Sequence, residues 1–417
     1  MKKIIMVFLL MLSGCTAKAY LPYEGDKALK IVVTNDLHYA HPSMIGNHQR
    51  SQSLSEKADG KVIPYLSEIT ESFVLQMMEE KPEVIILNGD LVFNGEKENH
   101  KHLSQLLQKL ESLVLVTPGN HDIDSQDAIK ITETQSYSAQ SVSETEFLKF
   151  YENYGYRQAR SMDQNSLSYV VEVSDSLDIF MMDSRCDASC DNLHGGYFKA
   201  NTLQWLENQL QASASRNAEI LFVSHHNTLI HHEGLNAGFT IDNSNELQSL
   251  LKKYDVKLSL SGHIHVQSIQ EENEIVDIAT QALSIYSIQY GVVAYTPSTS
   301  FDYSTQKVDV SKYFEEIPQF ESMAYNTIHY ANYRRTAFKL LDDGSISDED
   351  DLLSIAELDA QIKAYYFSGQ LIHHKEAITK SATFTKMFEK YPFEMRKLQN
   401  AIDIFGQKDH QKIKVDI

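Results

Sequence analysis

The chain has 417 residues, of which 42% are hydrophobic and 23% charged, and its formal net charge is −20. That length accommodates one large domain or two smaller ones, with enough apolar side chains for a substantial core. The acidity argues against duplex DNA and anionic lipid as broad electrostatic partners, because both require a cationic surface, but it leaves a small phosphate substrate open.

At the N-terminus, Lys2 and Lys3 precede the apolar stretch Ile4–Leu12, which is too short to span a bilayer as a lasting helix. It ends in Leu12-Ser13-Gly14-Cys15, a string that resembles a bacterial lipoprotein signal. On that reading residues 1–14 are a signal peptide, Cys15 becomes the lipid-bearing first residue, and the loss of two lysines takes the charge to −22. An ordinary secretory signal with a chance cysteine is the competing reading. Both lead to export, and the first anchors the protein to a bacterial cell membrane through lipid alone. No other apolar run is long enough to span. Cys186 and Cys190 form a C-x3-C pair for which a disulfide and two free thiols are equally compatible with the spacing.

Leu29–Thr34 reads as a buried strand that delivers Asp36-Leu37-His38 at its C-terminal end. A polar loop then runs to about Gly60. Leu66, Ile69, Phe73 and Met77 recur at helical spacing before Pro82. Val84–Leu87 is a second apolar strand leading into Gly89-Asp90. His100–Leu110 reads as a helix, and Leu113–Val116 as a third strand that Pro118-Gly119 turns into Asn120-His121-Asp122. Wholly apolar strands alternating with helices are the pattern of a sheet covered on both faces.

Residues 124–160 read as an inserted loop with one helix, started by a capping box of Ser143 and Glu146. Ser168–Val173 and Asp178–Met182 are neighbouring strands, and Thr202–Leu210 is a covering helix. Ile220–Val223 ends in Ser224-His225-His226. Asn243 is expected to cap a helix through Lys253, and Val256–Leu260 delivers Gly262-His263-Ile264-His265. Ile275–Ala279, Gly291–Tyr295 and Phe301–Val310 complete the sheets. Helical texture follows over Tyr325–Leu341, Leu352–Phe367, Lys375–Lys390 and Phe393–Phe405, with no motif of its own. The expected division is a signal peptide at 1–14, a domain of strands and helices bearing the polar strand-end segments at 15–312, and a helical C-terminal domain at 313–417.

The five polar segments at the strand ends offer carboxylate, amide and imidazole groups, which suit Mn, Fe or Zn. Thiolates are absent from them, which disfavours a structural zinc site. In extended chain the one-residue gap in Asp36-x-His38 and His263-x-His265 puts both side chains on one face. Taken in order, the segments resemble the calcineurin-like metallophosphoesterase family over roughly residues 29–312. The resemblance implies an α/β fold, a four-layer α-β-β-α sandwich, to which the C-terminal helices are an appendage. It also implies two divalent or trivalent metal ions, one bound by Asp36, His38 and His265, the other by Asn120, His225 and His263, with Asp90 bridging them. A water shared by two such ions, about 3.5–4 Å apart, ionises near neutral pH and supplies the attacking hydroxide. His121 is implied as the catalytic acid that protonates the leaving oxygen. Asp122 either orients that imidazole or closes the loop.

The implied activity is dinuclear-metal hydrolysis of a small phosphoester, selected by loops such as 39–60 and 124–160. The continuation Gly89-Asp90-Leu91-x-x-Asn94-Gly95-Glu96 resembles branches grouped with diesterases and inclines the reading to phosphodiesters. A secreted phosphomonoesterase or nucleotidase is the near alternative, and a non-catalytic binding protein on the same fold the remote one. No broad nucleic-acid binding is expected. Among the other histidines, His226 is expected to be structural or at the rim. For His231 and His232, contact with substrate is a minor alternative to solvation. His41, His48, His100, His102 and His194 are expected as solvated or core groups, Tyr39 as packing, Gly195-Gly196 as a turn, and Asn94 and Gly95 as loop geometry.

Overall fold

Runs of Val, Ile and Leu with no polar face become central strands, because neither side of them tolerates water. In the computed structural model, which describes residues 22–417 except Asp26, Asp59 and 187–193, these runs build two sheets. The expected signal peptide, Cys15 and Cys190 lie outside the described residues.

In chain order the first strands are β1 (Leu29–Thr34), β2 (Val84–Asn88), β3 (Leu113–Thr117), β4 (Ile129–Ile131), β5 (Ser136–Ser138), β6 (Ser161–Met162), β7 (Tyr169–Ser174) and β8 (Leu177–Met182). They are followed by β9 (Glu219–Ser224), β10 (Leu258–Ser261), β11 (Ser268–Glu272), β12 (Ile275–Ala279), β13 (Gln289–Thr296), β14 (Ser300–Lys307) and β15 (Lys412–Asp416). The helices of the body are α1 (Gln49–Lys57), α2 (Leu66–Glu80), α3 (Lys97–Leu107), α4 (Glu144–Tyr151), α5 (Ala200–Ala214) and α6 (Ser244–Lys253). Beyond it come α7 (Ile317–Asp343), α8 (Glu349–Phe367), α9 (Leu371–Thr379), α10 (Ala382–Lys390) and α11 (Pro392–Phe405).

The first sheet has the order β15-β14-β13-β1-β2-β3, with β1, β2 and β3 parallel. The second has the order β11-β12-β10-β9-β8-β7-β6, with β8, β9, β10 and β12 parallel. Their facing sides share one core that includes Val33, Ile86, Leu115, Val171, Ile179 and Leu260. Ile69, Phe73 and Met77 of α2 and Leu103 of α3 belong to the same cluster. On the other side α5 and α6 bury Leu203, Leu206, Leu247 and Leu251 against Phe180 and Phe222. The four-layer α-β-β-α sandwich is therefore present, with a helical C-terminal region beyond it.

At the carboxyl ends of the strands the apolar seam gives way to buried polar stitches between the sheets. Asn35, just after β1, donates through Nδ2 to the carbonyls of Ser261 and Thr280, each at 2.9 Å. Asn88 of β2 donates to the carbonyl of Ser224 at 2.9 Å, and Thr117 of β3 to that of Met182 at 3.2 Å. A buried amide must find such partners or lose the hydration it had in the unfolded chain. The stitches fix which strand end faces which, and so bring the loops after β1, β2 and β3 opposite those after β9 and β10.

The C-terminal helices have their own core, including Leu352, Ile355, Leu371, Phe384, Met395 and Ile402. They dock on the body through Phe320 and Ala324 of α7 and through Ile328, which packs with Ala282, Ile285 and Ala364. After α11 the chain returns to the body. His410 accepts from the Ile269 amide at 2.9 Å, and β15 pairs antiparallel with β14, Val415 opposite Phe301.

Several elements differ from expectation. Lys375–Lys390 is two helices, because the Ser381 hydroxyl accepts from the Phe384 amide and starts α10 anew. Asn243 precedes α6 but does not cap it through its side chain; its amide bonds both backbone groups of Phe198 instead. The α1 helix, the β4–β5 hairpin, β11 and β15 were not expected. The Ser143–Glu146 capping box is formed as expected. No helix among the described residues is long and apolar enough to cross a membrane.

Candidate metal centre

The five polar segments meet at the edge where β1, β2, β3, β9 and β10 end. The backbone there is not extended. Asp36 (φ 49°), His38 (φ 44°), Asp90 (φ 49°), His263 (φ 65°) and His265 (φ 61°) all adopt the left-handed conformation. This corrects the expectation that strand alternation aligns Asp36 with His38 and His263 with His265. The side chains converge because the chain turns sharply at each of them. Such a conformation costs a non-glycine residue on the order of 1–3 kcal/mol and persists only where the surroundings enforce it.

Potential ligand atoms fall into two groups, Asp36, His38, Asp90 and His265 in one, and Asp90, His225 and His263 in the other, with the atoms of each within 4.8 Å of one another. Asp90 belongs to both. Its Oδ1 lies 3.5 Å from Nε2 of His225, and its Oδ2 lies 3.8 Å from Nε2 of His38. Nε2 of His265 is 3.4 Å from Oδ1 of Asp36 and 3.4 Å from Nε2 of His38. Asp36, His38, Asp90 and His225 are buried.

Backbone carbonyls set the tautomers. Nδ1 of His38 donates to Phe93 O at 3.3 Å, Nδ1 of His225 to Asn88 O at 2.9 Å, and Nε2 of His263 to Gly238 O at 3.0 Å. A carbonyl only accepts, so the other nitrogen of each neutral ring carries the lone pair a metal needs. Oδ1 of Asp36, Nε2 of His225 and Oδ1 of Asn120 are buried without any hydrogen-bond partner. Buried acceptors left unmatched are destabilising, and one or two cations would satisfy all three. The donor set therefore fits divalent metal ions.

The electrostatics agree. Burial would push the Asp90 carboxyl up, but His225, His121 and His38 around it hold it well below the usual carboxylate range. Burial would pull His225 down, yet Asp90 and Asp36 raise it to about 9. The carboxylates thus draw positive charge to this point, as a proton on His225 that a bound cation would displace.

The turn after β3 brings in His121. A Cβ at Gly119 would overlap the Asp90 carboxylate, so only glycine permits this approach. The His121 amide donates to Oδ1 of Asp90 at 3.0 Å, and Nε2 of its ring is 4.0 Å from Oδ2. Its Nδ1 donates to Oδ1 of Asn94 at 3.0 Å, so Asn94 orients the imidazole as well as shaping its loop. Asp122 does not touch that ring. Its carboxylate accepts from the amides of Leu91, Val92 and Gly119 and ties the β2 and β3 loops together.

His121 and Asn120 open on a cavity of about 500 Å³ that also has Arg185, Tyr197 and Lys199 in its wall. No residue type or spacing in the sequence marked those three. His231 is buried against Asp277 at 3.2 Å, and His232 stacks on Phe405. His100 is a satisfied core group between Tyr151 and the Asp122 carbonyl. His41 stacks on His102, His48 caps α1, and Tyr39 is buried packing. Cys186 is disulfide-bonded.

A probable glycerophosphodiester phosphodiesterase, GpdQ, of Arcobacter nitrofigilis is 24% identical over 253 residues, which cover 58% of this chain and 81% of that protein. A 3',5'-cyclic-nucleotide phosphodiesterase of Nostoc sp., alr5338, is 26% identical over 212 residues, covering 49% of this chain and 66% of that protein. A crystal structure of a dimetal phosphatase from Danio rerio aligns with a TM-score of 0.46 and 12% identity, over 67% of this chain and 96% of that one. The family model described as calcineurin-like phosphoesterase matches residues 29–267, more than half of the sequence, and the chain belongs to that family.

Proposed function

We propose that this metal-dependent phosphoesterase hydrolyses phosphodiesters at a two-ion centre, and that a lipid on Cys15 holds it at a bacterial cell surface. The observation that carries the two-ion reading is the division of Asp90, with one oxygen toward His225 and the other toward His38. The diester preference draws support from the two relatives, both named as phosphodiesterases. The surface location rests on Leu12-Ser13-Gly14-Cys15.

Asp36, His38 and His265 would hold one ion, Asn120, His225 and His263 the other, with Asp90 shared. Bound there, the pair supplies Lewis acidity toward the phosphoryl oxygens and activation of water. The protein's own groups do the rest. His121 lines the cavity with Nε2 4.0 Å from Oδ2 of Asp90, while Asn94 holds Nδ1–H and so fixes the ring plane. In the protonated ring, Nε2–H is the proton for the departing alkoxide. The stitched strand ends keep the two loop sets from drifting apart under the repulsion of the buried carboxylates.

Metal quantification on the purified protein, together with a panel of bis- and mono-nitrophenyl phosphates, nucleotides and cyclic nucleotides assayed with Mn²⁺, tests this. We expect two ions per chain, activity abolished by chelation, and diesters cleaved faster than monoesters. Preference for monoesters would establish the phosphomonoesterase or nucleotidase reading instead. Fewer than two ions would overturn the proposed centre.

A further inference from the structure

Behind the candidate ligands lies a line of contacts that the reaction does not use. It begins at Asn120. The two ends of a carboxamide are nearly the same shape and opposite in polarity, and only Oδ1 can face a cation. Here Oδ1 is buried without a partner, while Nδ2 lies 3.3 Å from Nδ1 of His194. An amide nitrogen donates and does not accept, so Nδ1 of His194 must be the acceptor and that ring carries its proton on Nε2. The imidazole in this tautomer favours one orientation of the amide. Turned over, Oδ1 would meet a lone pair.

His194 is itself held. Its carbonyl accepts from Nε2 of the buried His226 at 3.0 Å. With Nε2 donating, Nδ1 of His226 accepts from the Ser184 hydroxyl at 2.9 Å, and that same oxygen accepts from the His226 amide at 3.2 Å. Ser184 also binds the returning segment, its carbonyl accepting from the Tyr197 amide at 3.0 Å. Gly196 makes the approach feasible, since a Cβ there would stand 2.6 Å from the Cβ and Cγ of His226. His226 directly follows His225. The line therefore joins the two loops that carry Asn120 and His225, both candidate ligands of one ion.

We propose that His194 is a positioning residue that fixes the Asn120 amide with its oxygen toward the metal centre, and that His226 anchors His194 for this purpose. The inference rests on the two-ion reading. It gives a role to His194, His226 and Gly196, which the hydrolytic chemistry leaves idle. Outer-shell partners of this kind typically alter metal affinity by about 10–100-fold.

The test is calorimetric titration of the metal-stripped full chain with Mn²⁺, with circular dichroism as the check on folding. His194 is exposed, so its substitution leaves the core intact. In His194→Ala, one ion should bind as in the wild type and the second about 10–100-fold more weakly. In His194→Asn, the new side-chain oxygen takes the place of Nδ1 as acceptor, and affinity should return to within a few-fold of wild type. Wild-type affinity at both sites in the alanine variant would overturn the inference. So would an asparagine variant as weak as the alanine one, because the loss would then come from something other than the acceptor. A wild-type chain that binds fewer than two ions is a separate result, and it removes the two-ion reading together with this inference.

Discussion

His121 stands at the boundary between the buried carboxylates and the open cavity, with one ring nitrogen tied to Asn94 and the other directed past Asp90. A proton donor in that position matters in proportion to how badly the leaving group needs a proton. His121→Ala should lose about 10²–10⁴-fold in kcat on alkyl phosphodiesters, and far less on nitrophenyl esters, whose leaving groups depart as anions. Metal content should be unchanged. Equal losses on both substrate types would remove the acid role. At this scale the sequence was informative about chemistry and silent about conformation. Carboxylate, amide and imidazole types are local information, and they identified the residues that converge. The left-handed backbone at Asp36, His38, Asp90, His263 and His265 depends on distant loops pressing on each turn, which no short motif encodes. For the same reason Asn94 was read as loop geometry and His194 as a bystander, since their contacts join residues tens of positions apart.

Among the elements, the strands that carry the candidate centre were the most legible, because a continuous run of Val, Ile and Leu has few other ways to hide. Short or polar elements were not. The α1 sequence has two buried serines and no apolar stripe, and β15 alternates lysines with apolar residues over only five positions. Asn243 shows a further limit, since a residue type suited to capping bonds whichever backbone groups tertiary structure brings close. How the helical region attaches to the body is equally a matter of packing. Ile328 of α7, fully buried against Ala282 and Ile285, is the centre of that attachment. Ile328→Ala should destabilise the protein by about 2–5 kcal/mol in urea titration, and the loss should appear in the transition that also reports on the body. A neutral effect, or a separate early transition of the helices alone, would show that α7 is not seated on the body by this residue.

Over the whole molecule, buried histidines weaken the fold in acid, and His100 and His410 are two of them that lie away from the candidate centre. His100 lies between α3 and the β3 loop, and His410 lies where the chain re-enters the body; burial pulls each down to about 4. In the unfolded chain a histidine titrates near 6.5, so below that pH the unfolded state takes up protons that the folded state refuses. Their contribution to stability is complete above about pH 6.5 and is lost as pH falls toward 4, with roughly 2 kcal/mol per residue gone by pH 5. Denaturation midpoints at pH 7.5 and pH 5 should therefore differ, and His100→Gln should reduce the difference. An unchanged pH response in that variant would assign the acid limb to other groups.

The path of the chain between β14 and β15 has a mechanical consequence. These strands are immediate neighbours in one sheet, and all of α7–α11 is threaded between them. The helices are thus moored at both ends to the same edge, as a loop is, rather than trailing from one. A protease cut in the connector between Lys307 and Ile317 would leave them tethered through Lys412–Asp416, and swinging away from the body would require tearing a strand out of the sheet as well as breaking the Ile328 contact.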